Sequence, residues 1–135
     1  MLDIENRLAI YELLALYGHI IDDRQWSRIE ELFTPDGIFD MSELGFPAAH
    51  GVSAIRAQWK DENAPHPLAH HGTNIVVTEN SDGTVQVLSK ALGVGYKGRV
   101  GSATYRDVLR KTPEGWRFEH RRVILRLPDR IPEPS

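Results

Sequence analysis

The chain contains no cysteine, which removes disulfide staples, thiolate nucleophiles and cysteine-ligated zinc together. It also has no excess of positive charge. Sixteen lysines and arginines face 19 aspartates and glutamates, a formal net charge of −3. The basic stripe by which a protein displaces counterions from nucleic acid is therefore missing. No apolar run approaches the ~20 residues of a membrane span. The opening Met1-Leu2-Asp3-Ile4-Glu5 lacks the basic start and apolar core of a secretory signal, and a cytoplasmic location is the expectation. What remains is 135 residues, 41% of them hydrophobic, which suits one domain with its own core and leaves no room for two.

Proline is absent from the first thirty residues, and helix formers dominate there. Asp3 suits the cap of a helix whose first turn carries Glu5. Ile4, Leu8, Tyr11, Ala15, Gly18 and Asp22 recur at steps of three or four and share one stripe. Leu13, Leu14, Tyr17, Ile20 and Ile21 form a second apolar face, so this helix is expected to be covered on several sides. The spacing predicts a shorter helix over Trp26–Phe33, stopped by the turn Thr34-Pro35-Asp36-Gly37. A short strand over Ile38–Met41 follows, then a mobile loop over 42–51 holding Gly45, Pro47 and Gly51. Ser53 is read as the cap of a third helix running from Ala54 to about Glu62.

From there the hydrophobic period changes to two. Leu68–Glu79, Thr84–Leu92, Val100–Lys111 and Trp116–Leu127 read as strands, and Asn80-Ser81-Asp82-Gly83 and Thr112-Pro113-Glu114-Gly115 as hairpin links. Residues 128–135, with three prolines, form an extended tail that cannot continue a ladder. Helices first and antiparallel strands afterwards is an α+β order. The expected shape is a curved sheet with helices over its concave side and a conical pocket between them. An outer sheet face carrying Val77, Leu125 and Leu127 would be too apolar to leave bare.

Several residues carry possible chemistry. Gly93-Val94-Gly95-Tyr96-Lys97-Gly98 fits the G-x-G-x-x-G pattern, but a phosphate loop needs a helix directly afterwards, and the following residues alternate like a strand. His66, His70 and His71 invite a metal. Four strand residues span about 13 Å, however, and adjacent strand residues point to opposite faces. Asp22 closes the first stripe of the first helix. It is either solvated past the helix end, or a cap for the next helix, or a partly buried carboxylate that must find a partner. A carboxylate facing an imidazole fixes its tautomer and stabilises the imidazolium, a general-base arrangement, and His70 and His71 open a strand that should cross the pocket. In the last strand the apolar parity changes from Trp116 and Phe118 to Val123, Leu125 and Leu127. A bulge between His120 and Arg122 would account for this, and would turn Arg121 or Arg122 inward or leave both at the surface.

Tyr17 followed by Ile21-Asp22-Asp23-Arg24-Gln25-Trp26, and then Leu32-Phe33-Thr34-Pro35-Asp36-Gly37, resembles the opening of the SnoaL-like group of the nuclear transport factor 2-like superfamily. Gly51-Val52-Ser53-Ala54-Ile55-Arg56, His70-His71-Gly72-Thr73-Asn74, Tyr105-Arg106-Asp107 and Gly115-Trp116-Arg117-Phe118 follow in that family's order, from about Ile4 to Leu127. Within the group the chain is similar to scytalone dehydratase and hexachlorocyclohexane dehydrochlorinase. The resemblance implies a cone-shaped α+β barrel, no cofactor, a homotrimer (with a dimer as the alternative), and an Asp–His dyad that removes a proton from carbon. It places the aspartate at Asp22, the histidine at His70 and an arginine at Arg121. It departs at Tyr17, where the dehydrochlorinase has lysine, and at Ala103 and Tyr105, where scytalone dehydratase has serine and asparagine.

The expected function is a cofactor-independent lyase, of dehydratase or dehydrohalogenase type, acting on a small apolar cyclic substrate. His70 is the expected base and Asp22 its orienting partner. Tyr17, Tyr105 and Arg121 would bind the substrate through hydrogen bonds, and Trp26 and Phe118 through apolar walls. No metal site and no nucleic-acid or membrane partner is expected. The alternatives are a non-catalytic small-molecule-binding or enzyme-stabilising subunit, and an isomerase like ketosteroid isomerase or polyketide cyclases, in which Asp22 would act without His70.

Overall fold

The computed structural model describes residues 1–135. Helix α1 (Ile4–Asp22) begins where the capping signal placed it, the Asp3 carboxylate accepting the Asn6 amide at 2.9 Å. Its buried face is Ile10, Leu13, Leu14, Tyr17, Gly18, Ile20 and Ile21. The other stripe is not covered: Ile4, Leu8 and Tyr11 are 77%, 56% and 40% exposed. Only its C-terminal end, at Gly18 and Asp22, turns inward.

The segment expected as a second helix is a 3-10 turn over Trp26–Glu31, and Phe33 already belongs to strand β1 (Phe33–Asp40). The Thr34-Pro35-Asp36-Gly37 turn signal is real but lies inside β1 as a wide bulge. Phe33 pairs with Phe118 and Ile38 with His120, so four residues of β1 oppose Glu119 alone. Gly37 is required there, because a Cβ would stand 3.0 Å from the carbonyl oxygens of Phe118 and Thr34. Residues 42–51 hold a 3-10 turn (Ser42–Leu44) and the two-residue strand β2 (Ala49–His50). Glu43 in that segment is tied to Arg122 at 2.6 Å. Helix α2 (Val52–Lys60) starts before Ser53; its cap is Gly51, at φ 88°, with no side-chain capping bond.

Strands β3 (Ala69–Glu79), β4 (Val85–Val94), β5 (Val100–Thr112) and β6 (Gly115–Leu125) lie close to their expected spans. The glycine-rich segment is the β4–β5 hairpin, followed by a strand. The sheet order is β2-β1-β6-β5-β4-β3. Every pairing is antiparallel except β1 with β6, so the sheet is mixed. It curves without closing, leaving β2 and β3 as edges. The α+β cone is thus an open one. The β6 bulge falls at Glu119, since Val108 pairs with His120 and Leu109 with Phe118. The parity change is where the sequence placed it to within two residues.

Helix α1 packs across the concave face, against β3 and β6. Cross-strand partners share a face, so β4 sends Val85, Val87, Ser89 and Ala91 inward and leaves Leu88 and Leu92 outside. Val77 pairs with buried Val87, and Leu125 with Ala103. Both therefore face inward, and the apolar outer face is built instead by Val76, Leu88 and Leu92. No helix is long and apolar enough to cross a membrane.

Candidate functional site

Asp22 is the last residue of α1 and His70 the second of β3. They meet because Gly18, one turn earlier on the helix, lets β3 approach: a Cβ there would stand 2.9 Å from the His70 carbonyl oxygen. The Asp22 carboxylate accepts His70 Nδ1–H at 2.6 Å. It also accepts the His70 backbone N–H, at 2.9 Å to Oδ2 and 3.1 Å to Oδ1. Both side chains are mostly buried, 17% and 15% exposed. Committing Nδ1 to Asp22 leaves Nε2 as the nitrogen with a free lone pair. Burial disfavours the charged ring and outweighs the pull of Asp22, so His70 titrates below the ordinary imidazole value of 6.5 and is neutral at pH 7.

His70 borders a cavity of about 270 Å³ between α1 and the sheet. Leu14, Ala15 and Tyr17–His19 line it from the helix, residues 70–73 from β3, and Ser89, Tyr105 and Arg121 from the strands beyond. Burial raises the phenol pKa of Tyr17 and Tyr105, leaving both hydroxyls protonated. The Glu119 bulge sends Arg121 inward, where it is 1% exposed. Its Nε and Nη2 donate to Asp107 Oδ1 and Oδ2 at 2.8 and 2.9 Å. Its guanidinium carbon lies 3.8 Å from the Tyr105 ring centre, 4.2 Å from Tyr17 and 4.3 Å from Phe118. Burial opposes the guanidinium charge, but Asp107 holds it protonated. Arg122 faces out and pairs with Glu43.

The expected walls are elsewhere. Trp26 packs on Trp59 and His66, with ring centres 6.1 and 5.7 Å apart. Phe118 is fully buried beneath the Arg121 guanidinium. Neither borders the cavity, because Tyr17, Phe33, Phe39, Trp59 and Phe118 touch ring to ring and fill the base of the cone. Residues 42–51 do not border it either. His66 is occupied by the Trp59 carbonyl at 2.9 Å, and nowhere do three His, Asp or Glu side chains converge as ligands for a metal.

Polar residues of the site that escaped the sequence reading include His19 and Thr73 on the cavity wall, and Asp107 and Ser89. Asp107 and Ser89 carry a legible signal: each sits on the inward parity of its strand, between Tyr105 and Leu109 and between Val87 and Ala91.

The SnoaL-like domain family matches residues 3–122. The chain belongs to this family. Among relatives of the SnoaL-like chain, the uncharacterised protein Rv2910c of Mycobacterium tuberculosis is 30% identical over 127 residues, which span 88% of this chain and 84% of its own. A nuclear transport factor 2-like protein with a cystatin-like fold from Novosphingobium aromaticivorans is 28% identical. It superposes with a TM-score of 0.78, over 90% of this chain and 82% of its own. LinA, at 20% identity, superposes with a TM-score of 0.77, over 98% of the SnoaL-like chain and 96% of its own, a likeness of fold.

Proposed function

We propose that this SnoaL-like protein is a cofactor-independent lyase, of dehydratase or dehydrohalogenase type, that removes a carbon-bound proton from a small apolar cyclic molecule. The observation that carries this is the Asp22–His70 hydrogen bond, 2.6 Å to Nδ1, made by a histidine that borders the cavity. Nε2 takes the proton as the C–H bond breaks, and the imidazolium formed faces the Asp22 carboxylate. The electron pair left behind forms a carbon–carbon double bond, and the leaving group departs from the neighbouring carbon with its own pair. Tyr17, Tyr105 and Arg121 border the same cavity and are the donors that stabilise charge developing on oxygen or on the leaving group.

An isomerase using Asp22 alone fits less well, because that carboxylate is engaged by three N–H···O contacts from His70 and does not border the cavity. A second reading, a non-catalytic binder or enzyme-stabilising subunit, is favoured by the aromatic packing that fills the base of the cone. One assay separates them. Cyclic compounds bearing a hydroxyl or halide next to an activated C–H are screened for elimination. His70→Ala should lower kcat by about 10²–10⁴ in the catalytic case. Binding without turnover by the wild type, or turnover indifferent to His70→Ala, removes the lyase.

A further inference from the structure

Gly72 is a glycine without a structural reason to be one. It lies inside β3, where a glycine weakens the strand and offers nothing to pack. Its φ is not in the left-handed region, so the backbone does not demand it. Crowding does not demand it either, since an added Cβ would meet no atom within 4 Å. Gly18 and Gly37, by contrast, are pinned by carbonyl oxygens that a Cβ would approach to 2.9 and 3.0 Å. A strand glycine also marks a place where a ligand comes close to the backbone, and Gly72 borders the cavity. It pairs with buried Ala91 on β4, so the missing side chain would point inward.

The exposure of the lining shows where the cavity meets water. Leu14, Tyr17, Ser89, Tyr105 and Arg121 are buried and form its depth. The exposed lining residues are Ala15 and His19 on α1, and His71, Gly72 and Thr73 on β3. The opening is therefore a wedge between α1 and β3. It is shut at one end, where Gly18 touches the His70 carbonyl. It widens toward Ala15, one turn back on the helix, and Gly72, further along the strand, where nothing fills the space of a Cβ. These two lips carry a methyl group and a hydrogen atom. The base of the cone is filled by ring packing around Tyr17 and Phe118, and residues 42–51 do not border the cavity.

We infer that this wedge is the entrance to the cavity, with Ala15 and Gly72 as its lips, and that the bare backbone at Gly72 sets the width of what reaches His70. A ligand enters from the side, between the helix and the edge strand. No further strand pairs with β3, so none stands in the way. The entrance serves a lyase and a binder alike, and so holds whatever His70 does next.

The test labels the whole protein with diethyl pyrocarbonate at pH 7 and follows each histidine by peptide mass spectrometry. The free pair on His70 Nε2 forms a bond to a carbonyl carbon of the reagent. Ethyl carbonate leaves with its own pair, and the Nδ1 proton passes to water. Gly72→Val should slow labelling of His70 about tenfold or more, because the reagent then waits for helix and strand to open. His50, exposed on β2, should label at the wild-type rate. Because the new side chain enters open space, Tm should stay level or rise. The rate-against-pH curve should keep its midpoint while its plateau falls, which separates blocked access from altered basicity. Ala15→Leu should protect His70 from the helix side, and it carries the test if Gly72→Val does not fold. A wild-type His70 that escapes labelling, a His70 labelled at the wild-type rate in both variants, or a slowing that comes wholly from a shifted midpoint overturns the inference. Any of these leaves the Asp22–His70 bond standing, just as a failed elimination assay leaves the entrance standing.

Discussion

Asp22 sits at the C-terminal end of α1, where the helix dipole is negative and a carboxylate is disfavoured. It is held there by three contacts from the N–H groups of His70. Asp22→Asn removes the charge that fixes the tautomer and stabilises the imidazolium, and is expected to lower kcat nearly as far as His70→Ala. The pH dependence has a definite sign. The folded state prefers the neutral ring, because burial depresses its pKa below 6.5. Stability contributed by His70 is therefore complete above 6.5 and is lost as pH falls through the lower folded value. Activity that needs the free base runs the same way: kcat/KM should be level through neutrality, with its acid limb below 6.5. Asp22→Asn, by deleting a contribution that raises the pKa, should move that limb further down. A limb above 6.5 in the wild type would contradict this. Arg121 and Asp107 give a separate test. Arg121→Met strands a buried carboxylate and should cost about 3–5 kcal/mol in urea melts, while adding Asp107→Leu should recover most of it. A double variant no more stable than the single would show that the pair is not a unit.

The elements that place these residues depend on close backbone approach. Gly18→Ala would set a Cβ 2.9 Å from a backbone oxygen of His70, so helix and strand must separate where the dyad forms. A loss of about 1–3 kcal/mol and a fall in activity are expected together. Gly37→Ala meets the Phe118 and Thr34 carbonyl oxygens at 3.0 Å, away from the dyad. It should destabilise comparably but leave kcat of the folded protein unchanged, and equal losses of kcat in the two variants would refute the distinction. Much of this layer was legible in sequence. Period-two alternation marked the four long strands, and the parity change in β6 marked the bulge that turns Arg121 inward. What misled was local chemistry overridden by long-range pairing. Trp26–Phe33 has helical spacing, yet Phe33 is drawn into β1 by Phe118. The stripe that singled out Asp22 is mostly exposed. The aspartate is buried because β3 crosses beside Gly18 and brings in His70, 48 residues from Asp22, a contact that no local periodicity encodes.

At the scale of the whole molecule, the open sheet presents an apolar outer surface that the single chain does not cover. Val76 and Leu88 are cross-strand partners at 59% and 43% exposure, and Leu92, further along β4, is at 40%. The edge strand β3 is 11 residues long, and an edge of that length could recruit another strand. It is interrupted, however: the β3–β4 register shifts between Thr73 and Val76, with Asn74 at φ 56°, and a bulge twists an edge away from continuous pairing. Association through the face is therefore favoured over association through the edge, and the trimer implied by the family resemblance would use it. The wild type is expected to sediment as a multiple of the 15.3 kDa chain, and Val76→Lys with Leu88→Lys to return it to one chain. The dyad and cavity lie on the opposite, concave face, so the lysine pair should dissociate the assembly while leaving the Asp22–His70 contact intact, visible as an unchanged acid limb in the pH profile. A wild type that sediments as a single chain at micromolar concentration would show that water, not a second copy, covers this face.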